Sequence, residues 1–265
     1  MLVFHRQLLI TILLLLGSVP ILAQAVTAFG SLEVSGRVKI DGKQEKLPRK
    51  RFYLFRGGLR DNKDLVERLK AAEITSRDCF YSQLQASPEF ICWLKAENCE
   101  SPYCRKIGMD DIQRVPEFQA AYKKGLSQFR GLSSIAQEWL TTNLPPNLVS
   151  GYFRERRSLT DTLLAGVKPL QSTMTDSVTV KAIFIDIPIK ADATGQKKSE
   201  TFLVSNILPI EFGGKSYVWT CEVEIGVGKT TNMRLLVPEN NKPVKNCEVT
   251  VKDLQVCKTG NCDTK

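Results

Sequence analysis

The hydrophobic period of this chain changes twice, from that of strands to that of helices and back. Leu32, Val34, Val38 and Ile40 alternate with Glu33, Ser35, Arg37 and Lys39, the period-two pattern of a half-buried strand, and Asp41-Gly42 supplies a turn. A second strand, Arg51 to Arg56, carries large apolar side chains on both faces and ends at Gly57-Gly58. From about Asp61 to Gln171 the period is helical. Ser87-Pro88-Glu89 and Val115-Pro116-Glu117 open helices with proline at the first helical position. Phe118, Tyr122, Leu126 and Phe129 form one amphipathic stripe and Leu159, Leu163, Val167 and Leu170 another, with Pro145-Pro146 breaking the run between them. Four or five helices are predicted here.

After Thr175 the alternation returns at Val178, Val180, Ala182 and Phe184, and a strand from Thr201 to Phe212 follows the polar loop Ala191 to Glu200. Gly213-Gly214 signals a hairpin into Tyr217, Trp219, Cys221, Val223 and Ile225. Met233 to Val237 and Cys247 to Val251 bring the strands to six or seven. A lone hairpin is marginally stable in water, so the first strands must pair with later ones. The predicted fold is α+β: an antiparallel β-sandwich made of residues 26–58 and 175–265, with an all-helical insertion at 59–174.

The N-terminus has the three-part layout of a secretory signal. Arg6 precedes the apolar run Leu8 to Leu16, and a break at Gly17 to Pro20 leads to the small-residue site Ala23-Gln24-Ala25, which predicts cleavage after Ala25. The apolar run falls short of the ~20 residues needed to span a bilayer, and no later segment reaches that length. The expected location is exported, periplasmic or extracellular, with no transmembrane helix in the mature form. The absence of any Asn-x-Ser/Thr acceptor is compatible with a bacterial source.

An exported chain can keep disulfides. The eight cysteines fall into two groups of four, Cys79, Cys92, Cys99 and Cys104 in the helical stretch and Cys221, Cys247, Cys257 and Cys262 in the terminal β region. Even numbers suggest two disulfides within each group, although four cysteines permit three pairings. Cys221 with Cys247 would join neighbouring strands, and Cys99 with Cys104, like Cys257 with Cys262, would close a small loop. Metal binding is the rival use, but no pair has the Cys-x-x-Cys spacing of a zinc knuckle, and neither metal nor cofactor is expected.

The sole histidine, His5, leaves with the signal. The mature chain therefore has no imidazole for a Ser-His-Asp or Cys-His site, a His-bearing zinc site or haem attachment. It also lacks Ser-x-x-Lys and Gly-x-Ser-x-Gly. Gly226-Val-Gly228-Lys229-Thr230 imitates a phosphate loop, but Val223 occupies the place of its first glycine, so it reads as a hairpin turn. Carboxylates remain the one catalytic resource. A glycosidase needs two of them, and Glu89, Glu97, Glu138 and Glu155 of the helical stretch are the candidates.

The formal charge of +9 has its densest patches at Arg49-Lys50-Arg51 and at Arg154 with Arg156-Arg157. They suit anionic envelope polymers, or another exported protein, through charge density. No aromatic residues interleave with them as in a nucleic-acid groove, so nucleic acid is not an expected partner. Tyr217 and Trp219 lie on a core-facing strand and are assigned to packing.

Leu32-Glu-Val-Ser-Gly-Arg-Val-Lys-Ile-Asp-Gly-Lys43 with Phe52-Tyr-Leu-Phe55 resembles the opening strands of carboxypeptidase regulatory-like domains, which are small transthyretin-like sandwiches. Phe202 to Pro209 with Gly214-Lys-Ser-Tyr217 is similar to a later strand-turn-strand segment of that family. The resemblance implies a structural or binding module and carries over no catalytic residue. The expected function is that of an exported, disulfide-stabilised, non-enzymatic binding or structural protein. A carboxylate-dependent hydrolase of envelope or extracellular polysaccharide is the alternative.

Overall fold

The computed structural model describes residues 28–265 apart from 41, 98, 191–198, 213, 239–241, 256, 258–261 and 263–265. The cleavage site at Ala23 and Ala25 lies outside the described residues, as does most of the loop after Lys190. The described chain is mixed α+β. Its strands are β1 (Ala28–Ser35), β2 (Arg37–Ile40), β3 (Lys43–Lys46), β4 (Arg51–Arg56), β5 (Gln171–Met174), β6 (Lys181–Ile189), β7 (Ser199–Ser205), β8 (Ile210–Phe212), β9 (Lys215–Gly226), β10 (Thr230–Arg234) and β11 (Cys247–Asp253). The helices are α1 (Lys63–Ala71), α2 (Arg77–Gln83), α3 (Pro88–Ala96), α4 (Met109–Arg114), α5 (Pro116–Gln128), α6 (Ser133–Glu138) and α7 (Tyr152–Leu163), and a π-helical turn at Asn147–Gly151 leads into α7.

The larger sheet runs in the order β11-β9-β7-β4-β5, with β8 hairpinned onto β9, and all its pairings are antiparallel. A smaller sheet runs β10-β1-β6, in which β1 pairs antiparallel with β6 and parallel with β10. Alternation along the central strands of the larger sheet divides their side chains between two cores. Phe52, Leu54, Phe202, Val204, Trp219 and Cys221 pack with Leu32, Val34, Ala182 and Phe184 of the smaller sheet. Phe55, Leu203 and Val218 turn the other way, onto Leu65, Val66 and Leu69 of α1 and Leu163 of α7. Apolar residues on both faces of β4 are thus explained by a sheet covered on both sides. A third core lies within the helices, around Tyr81, Phe90, Trp93, Phe118 and Tyr152.

The helix starts follow the capping logic of the sequence. The Ser87 hydroxyl accepts from the Phe90 N–H at 3.1 Å with Pro88 at the first turn, and Glu117 of α5 accepts from both the N–H and the hydroxyl of Ser87. Several strand boundaries differ from expectation, among them the stretch Met233 to Val237, whose strand is instead Thr230–Arg234. The alternating stretch Leu32 to Ile40 is two strands, because the Gly36 N–H bonds Val180 O and its carbonyl takes the Leu47 N–H, which turns the chain out of the sheet. Val178, expected to lead β6, is exposed and precedes that strand. The stretch Thr201 to Phe212 is broken at Asn206 to Pro209, where the buried Asn206 amide bonds Leu208 O, Tyr217 O and the Trp219 N–H, satisfying backbone that leaves the ladder.

The strands enclose one close approach. A Cβ on Gly30 would lie 2.6 Å from Gly226 O and 2.7 Å from the Ile225 side chain. Gly30→Ala should therefore cost about 1–3 kcal/mol through forced separation of β1 from β9, a shift visible in the urea midpoint.

The cysteines correct an expectation. Cys99 pairs with Cys104 and Cys221 with Cys247, the latter across directly opposed positions of β9 and β11. The remaining four do not pair within their groups. Cys79 of α2 bonds Cys257, and Cys92 of α3 bonds Cys262, so the C-terminal segment is tied to the helices rather than looped on itself. The physical reason is docking of the tail: β11 ends at Asp253, and the Gln255 carbonyl already reaches the Cys79 sulfur.

Candidate anion-binding site

Two basic segments far apart in sequence meet in one cleft. The turn into β4 supplies Arg49, Lys50 and Arg51, and α7 supplies Arg156 and Arg157, around an opening of about 730 Å³. Arg154 is exposed and does not line it. Against these five cations stand two carboxylates, Glu100 and Asp161. Tyr53, Phe153, Met174, Leu208 and Ile210 supply apolar wall between them. A volume of this order is usual for a ligand site, and the seven charged side chains set this one apart from an ordinary apolar pocket.

Local structure fixes each cation differently. The Lys50 N–H donates to the Thr175 hydroxyl at 2.8 Å, and its Nζ meets Glu100 Oε1 at 2.6 Å with the lysine side chain 14% exposed. Arg49 donates to Cys104 O at 2.9 Å and Arg51 to Ser172 Oγ at 3.3 Å, both as exposed side chains. Arg156 is only 8% exposed. Its Nη2 donates to Pro209 O at 2.8 Å, and its guanidinium carbon sits 5.4 Å from the Tyr152 ring centroid. Its Nε and Nη1 are buried without a partner, and among the described residues it forms no ion pair.

Beneath the cleft is a cavity of about 10 Å³, lined by Lys50, Arg77, Glu100, Tyr152, Arg156, Pro209 and Glu211. Arg77 is already occupied: Nε and Nη2 bond Asp78 Oδ1, and Nη1 bonds Cys99 O at 3.0 Å. The Glu211 carboxylate accepts from the Arg77 backbone N–H at 3.1 and 3.2 Å and from the Tyr152 hydroxyl at 3.4 Å.

The two glutamates of this floor are pushed apart. Burial alone would raise Glu100, but Lys50 and then Arg156 outweigh it and hold the carboxyl below its ordinary value. Burial raises Glu211, and Arg77 and Arg156 offset this only in part. Burial also takes the Tyr152 hydroxyl well above its ordinary value.

The pH consequence has opposite signs for the two. Stability contributed by Glu100 is present above pH 4.5 and is lost as pH falls through its lower folded value. Between 4.5 and its raised folded value, Glu211 holds a proton more tightly in the native state than in the unfolded chain, so stability falls as pH rises through that window. Glu211→Gln, with Lys50, Arg77, Asp78, Arg156 and Glu100 left in place, should flatten the slope above pH 4.5 and leave the acid limb unchanged in urea midpoints measured across pH.

The glutamates singled out in sequence do not gather. Glu89 and Glu155 are exposed, Glu97 is paired with Arg105 at 2.9 Å, and Glu138 faces Lys106 at 3.4 Å. Sequence reasoning missed Arg77, Glu100 and Glu211. Glu100 is marked only by lying inside the short Cys99–Cys104 loop, and Glu211 only by being a charge within an apolar run. Among the described residues no cluster of His, Cys, Asp or Glu is arranged to hold a metal ion, and no helix is long and apolar enough to cross a membrane. No protein-family model, curated protein or solved structure matches this chain.

Proposed function

We propose that this chain is an exported, non-enzymatic binding protein that holds an anionic polymer of the cell envelope or extracellular space in the cleft between β4 and α7. The observation that carries the reading is the convergence of Arg49, Lys50 and Arg51 with Arg156 and Arg157 on a single cleft. Neither segment alone distinguishes a site from a solvated basic surface, but five cations around one concavity focus the field on one place. Four disulfides and the signal-like N-terminus support work outside the cytoplasm. The fold reading that accompanies it is a sandwich of the carboxypeptidase regulatory-like kind, opened between β4 and β5 to admit the helices.

The test is binding to an immobilised polyanion across a salt series. Affinity should fall steeply as salt rises, and Arg49→Ala, Arg51→Ala and Arg157→Ala should each make the fall shallower, since each removes one exposed charge that releases counter-ions. Arg154→Ala, outside the cleft, should leave the slope alone. Equal effects from Arg154 and from the cleft arginines would replace the site with diffuse surface charge.

The second reading, a carboxylate-dependent polysaccharide hydrolase, has one specific observation in its favour: Glu100 and Glu211 line one cavity with opposite shifts, the division of labour of an acid and a base. Release of new reducing ends by the wild-type protein, lost in Glu211→Gln, would establish it over binding alone.

A further inference from the structure

A guanidinium taken out of water without a counter-charge costs several kcal/mol, and proteins seldom leave one so. Arg156 is close enough to Glu100 and Glu211 for its charge to act on them but touches neither as an ion pair: it is more than nine-tenths buried, has two nitrogens unpartnered, and lines both the cleft and the small cavity beneath it. Lys50 and Arg77, its fellow cations at the floor, are already matched by Glu100 and Asp78. Glu211, the other glutamate of the floor, is held by the Arg77 N–H and the Tyr152 hydroxyl and forms no ion pair with Arg156 among the described residues, so two guanidinium nitrogens remain open to an anionic oxygen. The cavity of about 10 Å³ has room for one water-sized atom. A carboxylate can seat one oxygen there and leave the other in the cleft.

The surroundings decide what bears the carboxylate. The exposed cations Arg49, Arg51 and Arg157 imply further negative charges along the same ligand, as in a repeating polymer rather than a peptide with one terminal carboxylate. The exposed ring of Phe153 and the half-buried ring of Tyr53 offer flat apolar surface for the C–H faces of sugar rings. We propose that Arg156 is the anchor of a subsite for one carboxylate of a uronic-acid polysaccharide, with the rim arginines holding the neighbouring residues of that polymer. This rests on the reading of the cleft as a polyanion site and names its ligand class.

The experiment measures binding of an oligogalacturonate by calorimetry at low and raised salt. Its methyl ester, dextran sulfate and a peptide with a free apolar C-terminus serve as comparison probes. The expected result is that oligogalacturonate keeps part of its affinity at raised salt, because the buried contact is poorly screened, while dextran sulfate does not and the methyl ester binds at neither. Arg156→Gln should weaken oligogalacturonate binding by about ten- to hundredfold, the effect of one charge-assisted hydrogen-bonded pair. It also removes the bond to Pro209 O and a charge that offsets Glu100 and Glu211, so some lowering of the melting temperature is expected, and the deciding readout is the selective loss of carboxylate binding by the folded variant. A purely structural arginine would lower the melting temperature with no selective loss of carboxylate binding. Should the glutamine variant not fold, Arg156→Lys retains the charge without the fork and should still show the loss at raised salt.

Wild-type binding of oligogalacturonate by a folded Arg156→Gln overturns the anchor while leaving the polyanion cleft standing. Dextran sulfate retained equally at raised salt overturns carboxylate recognition, and tighter binding of the peptide overturns the polysaccharide. Absence of binding to any polyanion at low salt overturns the cleft reading itself.

Discussion

Removing both cross-links between the C-terminal segment and the helices, by Cys79→Ala with Cys257→Ala and Cys92→Ala with Cys262→Ala, should cost more than the two losses measured separately. The bonds span 178 and 170 residues, so either one alone closes nearly the same long loop of the unfolded chain. With one in place, the other adds only a small ring made of 79–92 and 257–262, about 20 residues, whose closure stabilises by about 3 kcal/mol. Each single removal should therefore cost about 3 kcal/mol, and the combined removal about 8, since the long-loop contribution of about 5 disappears only then. A loss of that size is comparable with the whole stability of an ordinary domain, so the fourfold variant should be largely unfolded at room temperature. Urea titrations of the three variants against wild type measure it. A combined loss no greater than the sum of the single ones would mean that the unfolded chain is already compact where these loops close.

The cross-links also bear on the cleft. Cys79 follows Arg77 and Asp78 at the start of α2, and the Arg77 N–H is the donor that holds Glu211. Releasing the tail frees the end of α2 whose backbone fixes one carboxylate of the floor. Binding should thus weaken in the Cys79–Cys257 variant more than in the Cys92–Cys262 variant, whose helix carries no residue of the cavity.

What could be read in advance was whatever one short segment decides. Ser87-Pro88 marked a helix start because cap and proline act within one turn, and the core-facing alternation of Tyr217 and Trp219 needed only a period of two. Cys221 and Cys247 lie on apolar faces of strands that proved to be directly opposed. What stayed hidden depends on partners distant in sequence. Nothing near Gly36 announces that Val180 and Leu47 will take its backbone groups, and nothing in Thr230 to Arg234 shows that it lies parallel to β1. The basic runs at Arg49 and Arg156 were visible as charge. Their convergence is set by α7 packing on the outer face of the larger sheet, a contact that no local pattern encodes.

Trp219→Ala tests whether the two sheets melt as one unit. Trp219 is fully buried between them, stacked near Tyr217 at 5.6 Å between centroids, with its indole N–H donating to Leu236 O at 2.7 Å. Truncation removes a large ring, leaves a cavity and deletes the bond to the Leu236 carbonyl, for an expected loss of about 3–5 kcal/mol. Trp219→Phe keeps most of the apolar volume and loses the donor, so it should cost about 1–2 kcal/mol, which separates the hydrogen bond from the packing. Leu236 follows the strand that pairs with β1, so this one side chain ties the smaller sheet to the larger. A single unfolding transition shifted by the full amount, seen alike by fluorescence of the remaining tryptophans and by far-ultraviolet circular dichroism, is the expected outcome. Two separated transitions in the alanine variant would show that the helices, with their own core around Phe90, Trp93 and Phe118, hold together after the sheets have parted.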